Sequence, residues 1–267
     1  MRMDDPTALG RDVERLLGET GGFYRVRVLK ESTSTNDDAK AAARQGEAEG
    51  LVVIADRQTA GRGRLRRAFF SPDGTGLYMS VLLRPQLPAT SCVLVTAAAA
   101  VAVAEAIERV SDRSARIKWV NDIFLDDRKV CGILTEGSVG PDGALQHAVL
   151  GIGVNIQPPP GGFPEELKPI VCAVFESAAP EDARARLAAE ILTRFHRFRN
   201  LEERQFLPAY RARSMVVGRR VMVSLGEEVF PAQSLSIDDD CRLIVETERG
   251  VLPLCAGEVS IRPVPGR

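Results

Sequence analysis

Residues 91–110 form an alanine-rich stretch in which no charged residue appears before Glu105. A helix with no face for water belongs beneath a sheet. Its most apolar part, residues 93–103, is too short and too rich in alanine to span a bilayer. The neighbouring segments supply the sheet. Residues 51–55 and 77–83 read as buried strands, and 115–119 and 123–125 as strands about a turn. Residues 129–136 and 148–156 read as a pair joined by Gly140-Pro141-Asp142-Gly143. Residues 23–29 alternate as a further strand. Helices are expected at 6–17, from Thr35 or Asn36 to Ala43, and over 181–203. Strands crowd the middle and helices flank them, an α+β pattern with a mixed sheet rather than regular βαβ alternation. After Arg213 come short, closely spaced strands at 219–225, 229–237, 243–247, 250–254 and 259–262, the spacing of a small five-stranded barrel. The expected division is therefore residues 1–213 and 214–267.

The chain has 267 residues, room for a large domain and a small module at roughly 150 residues per domain. A share of 45% hydrophobic and 27% charged residues excludes a disordered chain. Lys plus Arg is 35 and Asp plus Glu is 36, so 35 − 36 gives a net charge of −1. That balance argues against a whole-protein binder of nucleic acid or membrane surfaces. The 5 cysteines (Cys92, Cys131, Cys172, Cys241, Cys255) are odd in number and contain no CxxC pair. Neither a disulfide framework nor a zinc site is expected, and a reducing compartment fits. The N-terminal MRMDDPTALGRDVERLL lacks the apolar core of a signal peptide, so a cytoplasmic protein is expected.

Four motifs carry chemistry. Gly61-Arg62-Gly63-Arg64 with Arg66-Arg67 reads plainly as a solvated basic loop, or as a nucleic-acid contact. Its glycines also let backbone N–H groups approach an anion, and it runs between two core strands, which makes it a site-building loop. It lacks Walker P-loop spacing. Lys118-Trp119-Val120-Asn121-Asp122 reads plainly as a charged strand–turn–strand, but crowds a cation, an amide and a carboxylate around the lone tryptophan. Gly151-Ile152-Gly153-Val154-Asn155 puts two glycines inside a buried strand, which signals either a bulge or a close approach. Ser32-Thr33-Ser34-Thr35-Asn36 suffices as a helix cap and also offers hydroxyls and an amide to a neutral polar ligand.

Together and in this order, these motifs resemble the biotin protein ligase family. Gln58, Lys129 with Gly132-Ile133-Leu134 and Glu136, and Gly257-Glu258-Val259-Ser260-Ile261-Arg262 also fall in family order, and the resemblance covers roughly residues 25–263. Arg66 stands where a glycine is usual, Phe69 where a tryptophan is usual, and Val120 where a proline is usual. The resemblance implies a mixed-sheet catalytic domain with a C-terminal SH3-like barrel. It also implies a two-step reaction. Biotin and ATP, as its Mg²⁺ complex, give biotinyl-5′-AMP and pyrophosphate. The biotinyl group then passes to a lysine of a biotin carboxyl carrier protein, as in acetyl-CoA carboxylase.

By the same resemblance, biotin is expected to meet Ser34, Thr35, Asn36, Gln58, Arg62, Gly63, Arg64, Trp119, Lys129, Gly132, Gly151 and Gly153. The nucleotide is expected to meet Arg62, Arg64, Phe69, Lys118, Asn121, Lys129, Asn155 and Arg262. Arg64, Lys118, Asp122 and Lys129 are the expected catalytic residues, with no protein metal ligand assigned. The Gly61–Phe70 loop is the expected lid, shielding the mixed anhydride from water. Glu258 and Arg262, on one face of the last strand, are expected to bridge the module to the catalytic domain. Some members carry an N-terminal DNA-binding domain. Here about 24 residues precede the first core strand, against the roughly 50 a domain needs, so neither DNA nor membrane is an expected partner. Monomer and homodimer both stay open. A lipoate ligase would share fold and chemistry, but lipoate lacks the ureido group that Ser34, Thr35 and Gln58 suit. An RNA-binding protein would explain the arginine loop but leave Lys118, Asn121 and Lys129 without a purpose.

Overall fold

The computed structural model describes residues 6–85, 88, 92–140, 144–255 and 259–263. Glu258 lies outside these residues, as does the side chain of Arg262. The first three helices are α1 (Pro6–Leu17), α2 (Thr35–Arg44) and α3 (Cys92–Ser111). Seven strands form one sheet: β1 (Arg25–Ser32), β2 (Leu51–Gln58), β3 (Gly76–Leu83), β4 (Arg116–Lys118), β5 (Asp122–Leu125), β6 (Arg128–Val139) and β7 (Leu145–Asn155). Their order is β1-β2-β3-β7-β6-β5-β4. The β1–β2 pair is parallel, with α2 as its crossover, and the other pairs are antiparallel. The fold is thus α+β with a mixed sheet.

The alanine-rich segment behaves as its composition requires. Every residue of α3 from Leu94 to Ala104 is buried, enclosed by the sheet, by α4 (Ala183–Arg197) and by α5 (Leu207–Ala212). Strand β2 shows why residues 51–55 lack alternation. Val52 and Ile54 join the main core, while Leu51 and Val53 pack with Ala39, Ala42 and Ala43 of α2. A strand covered on both faces has no polar register. Among the described residues, no helix is long and apolar enough to cross a membrane.

Several boundaries differ from expectation. The helix expected over 181–203 stops at Arg197, and a separate 3₁₀ turn covers Leu201–Glu203. Phe198, Leu201 and Phe206 are all buried, and the chain turns there to insert them. Helix α5 was not anticipated; six residues are too few to display a helical period. Strand β1 starts at Arg25, because Gly18–Gly22 forms a 3₁₀ turn. The N-cap of α2 is Ser34, not Thr35 or Asn36, and its side chain makes no cap bond.

Beyond α5 come β8 (Arg220–Leu225), β9 (Glu228–Ile237), β10 (Leu243–Thr247), β11 (Gly250–Leu254) and β12 (Val259–Pro263). They form an open antiparallel five-stranded sheet, β11-β10-β9-β8-β12, and among the described residues its edge strands do not pair to close the expected barrel. Its Val221, Val223, Leu243 and Val245 are continuous with the main core. The two sheets meet where Ile117 N donates to Arg213 O at 2.8 Å and Met215 N to Ile117 O at 2.9 Å.

Candidate functional site

A cavity of about 1040 Å³ opens on the sheet. The start of α2, the end of β2, the 61–71 loop, the 118–122 corner, β6 and β7 line it, and the 163–171 segment forms a further wall. Every candidate residue read from the sequence borders it, apart from Arg262, whose side chain is not described. Lines of chain far apart in sequence thus converge on one space.

One part of the lining is neutral and fully ordered. Gln58 Oε1 accepts from Thr35 N at 3.0 Å and lies 3.2 Å from Thr35 Oγ1, and Gln58 Nε2 donates to Ser71 Oγ at 3.0 Å. Asn36 Nδ2 donates to Glu136 Oε2 at 2.7 Å, which fixes Asn36 Oδ1 as an acceptor. The buried Ser80 hydroxyl lies 2.6 Å from that oxygen and 2.7 Å from Thr35 Oγ1. Its one hydrogen serves Asn36, so the Thr35 hydrogen turns to Ser80 or to Gln58. Either way Thr35 keeps a lone pair for the cavity. The Ser34 hydroxyl, free of capping duty, stands beside it.

The other part is cationic. Arg64 Nη1 donates to Asn121 Oδ1 at 3.1 Å, and Lys129 Nζ is 2.7 Å from Asp122 Oδ1. Lys118 Nζ lies 5.8 Å from the Phe124 ring centre. Burial lowers the Arg64 guanidinium from its ordinary value, with Asp122 opposing the shift. Trp119 is buried and donates its indole N–H to Cys241 O at 2.9 Å, so it is a wall with a structural bond of its own. Its peptide bond to Val120 is cis. Asn155 Nδ2 donates to Cys172 O at 3.0 Å.

Arg62 is differently committed. Its guanidinium grips Asp37 in a bidentate pair at 2.8 and 2.5 Å, and Lys40 bridges Asp37 and Glu136 at 3.0 Å each. The Arg62 bond holds the Asp37 carboxyl below its ordinary range, so the pair breaks only as pH falls through that lowered value. The loop is therefore latched to α2 at neutral pH. Asp37→Asn should raise the rate of tryptic cleavage in the 61–67 loop by roughly 2- to 5-fold at pH 8, the worth of an exposed ion pair. Cleavage at the wild-type rate would mean that the latch carries no load.

The two glycines of β7 signal close approach, not a bulge, since both neighbouring registers run through 151–154 unshifted. A Cβ on Gly153 would stand 2.5 Å from the Phe69 ring, and one on Gly151 would stand 2.2 Å from Asn36 Oδ1. Phe69, expected against the nucleotide, here packs on Gly153. Sequence reasoning missed Ser71, Ser80, Asp37, Lys40 and the 163–171 wall. Ser80 alone carried a signal, as a lone serine in the apolar run of β3.

The family model for the biotin/lipoate A/B protein ligase family matches residues 27–155. A bifunctional ligase/repressor BirA of Bacillus subtilis is 34% identical over 233 residues, covering 86% of this chain and 71% of that one. A biotin–[acetyl-CoA-carboxylase] ligase of Mycobacterium tuberculosis is 32% identical over 257 residues, 92% of each chain. Among solved structures, the biotin protein ligase of Aquifex aeolicus in complex with biotin and ATP superposes with a TM-score of 0.72 at 27% identity, covering 90% of this chain and 99% of that one.

Proposed function

The chain belongs to the biotin protein ligase family, and on that premise we propose how its cavity activates biotin and hands it to a carrier lysine. The biotin carboxylate attacks the α-phosphorus of ATP, and pyrophosphate leaves. The lysine amine then attacks the acyl carbon of biotinyl-5′-AMP, and AMP leaves. The observation that carries this reading is the pairing, in one cavity, of an ordered neutral array with a cluster of cations.

A ureido ring is a neutral donor–acceptor group. Thr35 offers it a lone pair, and Ser34 and Gln58 lie alongside. Carboxylate and triphosphate repel each other, so the first step needs positive charge placed before the reaction starts. Arg64, Lys118 and Lys129 supply it, with Arg62 joining once it exchanges Asp37 for a ligand. Magnesium, carried in with ATP, would neutralise part of the phosphate charge; Asp122 and Asp127, carboxylates bordering the cavity, would be the side chains to hold it. In the second step a cation such as Lys129 disfavours the charged form of the incoming lysine, and Asp122 orients it.

We assign residues 1–213 to a catalytic domain and 214–267 to an SH3-like module, with the carboxyl carrier of a biotin-dependent carboxylase as the protein substrate and the cytoplasm as the setting. Purified protein with labelled biotin, ATP and a carrier domain tests the reading. Label should reach the carrier only with ATP present, and lipoate should not replace biotin; transfer of lipoate instead would overturn the assignment. Arg64→Ala should release biotinyl-5′-AMP faster, by roughly tenfold or more for the loss of one charged hydrogen bond worth at least about 1.5 kcal/mol. An unchanged release rate would remove Arg64 from the closed state.

A further inference from the structure

The 117–122 segment is held from two directions. On the cavity side, Asn121 exchanges main-chain and amide bonds with Ile133, at 3.0 and 2.8 Å, and accepts from Arg64, while Asp122 meets Lys129. On the opposite side the partners come from beyond residue 205. Ile117 pairs with Arg213 and Met215, the Trp119 indole reaches Cys241 O, and Tyr210 Oη donates to Val120 O at 3.0 Å. Tyr210 is fully enclosed, with 0% of its surface exposed. Burial raises its phenol well above the ordinary value, so it stays a donor at any working pH. Val120 is itself buried, and Tyr210 is the side chain that meets its carbonyl.

We propose that Tyr210 is a positioning residue for adenylate formation. By holding the Val120 carbonyl it sets Asn121 and Asp122, and through them the Arg64 guanidinium and the Lys129 ammonium. The hydroxyl touches no substrate; it acts through the strap alone. This inference rests on the reading of the cavity given above. It predicts an effect on the step that needs the cations aligned. Binding through Ser34, Thr35 and Gln58, which sit on other elements, should be spared.

Tyr24 provides an internal comparison. It too is a buried tyrosine whose hydroxyl donates to a buried main-chain oxygen, Leu192 O at 3.2 Å, with no link to the strap. The test compares Tyr210→Phe with Tyr24→Phe in the full chain. Four quantities are read: melting temperature, biotin affinity, biotin-dependent ATP–pyrophosphate exchange, and quenching of tryptophan fluorescence by acrylamide. Trp119 is the 1 tryptophan of the chain, so its emission reports the strap directly.

Tyr210→Phe should lower the exchange rate by about tenfold or more, as a misplaced catalytic group does. Biotin affinity should fall much less than exchange does, and Trp119 should become easier to quench. Tyr24→Phe should lower the melting temperature to a similar degree and leave exchange and quenching alone. The proposal is overturned if both variants lose exchange in step with melting, or if Tyr210→Phe matches wild type in exchange and quenching. Wild-type protein with no biotin-dependent exchange would instead overturn the reading of the cavity, and the Trp119 signal would still decide whether Tyr210 supports the strap.

Discussion

Lys129→Ala should lower biotin-dependent pyrophosphate exchange by roughly 10²–10³-fold, the usual effect of removing one preorganised donor from a developing negative charge. Lys129 stands at the start of β6, where its N–H and C=O are both pinned by the 170–172 segment: Lys129 N donates to Ile170 O at 2.9 Å and Cys172 N donates to Lys129 O at 2.9 Å. Truncating the side chain leaves those bonds intact. Its ion pair with Asp122 is partly exposed, with 31% and 20% of the two side chains accessible, so its loss costs little stability. Melting should therefore stay close to wild type while exchange collapses. Asp122→Asn makes the complementary test. If Lys129 acts only as a partner for Asp122, the two variants should fail alike; if Lys129 acts on phosphate, its own loss should be much the more severe. Exchange within a few-fold of wild type in Lys129→Ala would remove the residue from the first step.

The site was legible in the sequence wherever a residue type contradicted its surroundings. Glycines inside β7 and the Gly61-Arg62-Gly63-Arg64 run, set between core strands, each broke a local expectation, and each lies on the cavity wall. Residues that satisfy a bland role equally well stayed hidden. Asp37 stands in the first turn of α2, where a carboxylate favours the helix dipole anyway, so its grip on Arg62 left no trace in the pattern. Tyr210 reads as another core aromatic, since nothing in a sequence shows where a hydroxyl will find its acceptor. The Trp119 contact is made to a main-chain oxygen of Cys241, a group every residue possesses.

The fold divides the same way. Strand β2 and helix α3 were readable because burial on all sides forces apolar runs. The end of α4 was not, because its amphipathic pattern continues through Phe198 and Leu201 after the backbone has turned. There the core is served by inserting single side chains rather than by extending the helix, and periodicity cannot distinguish the two.

Gly151→Ala should destabilise the protein far more than Gly153→Ala, although the two glycines lie two residues apart on one strand and face the same cavity. At Gly153 the new methyl meets the Phe69 ring, which belongs to a half-buried loop residue and can swing aside. At Gly151 it meets the Asn36 amide, 2.2 Å from Oδ1 and 2.9 Å from Cγ. That amide cannot yield without releasing Ser80, at 2.6 Å, and Glu136, at 2.7 Å. Overpacking costs about 1–3 kcal/mol and an orphaned buried polar group about as much again. A total of roughly 2–6 kcal/mol corresponds to a fall of about 5–20 °C in a chain of this size. Gly153→Ala should melt near wild type while weakening ligand binding, because Phe69 is displaced into the cavity. The cause can be isolated with Asn36→Ala, which removes the amide and with it the clash. If the clash is the source of the damage, the Asn36→Ala/Gly151→Ala double variant should melt little below Asn36→Ala alone, a strongly non-additive result. Costs that simply add would show that Gly151 is needed for the strand itself and not for the approach of Asn36.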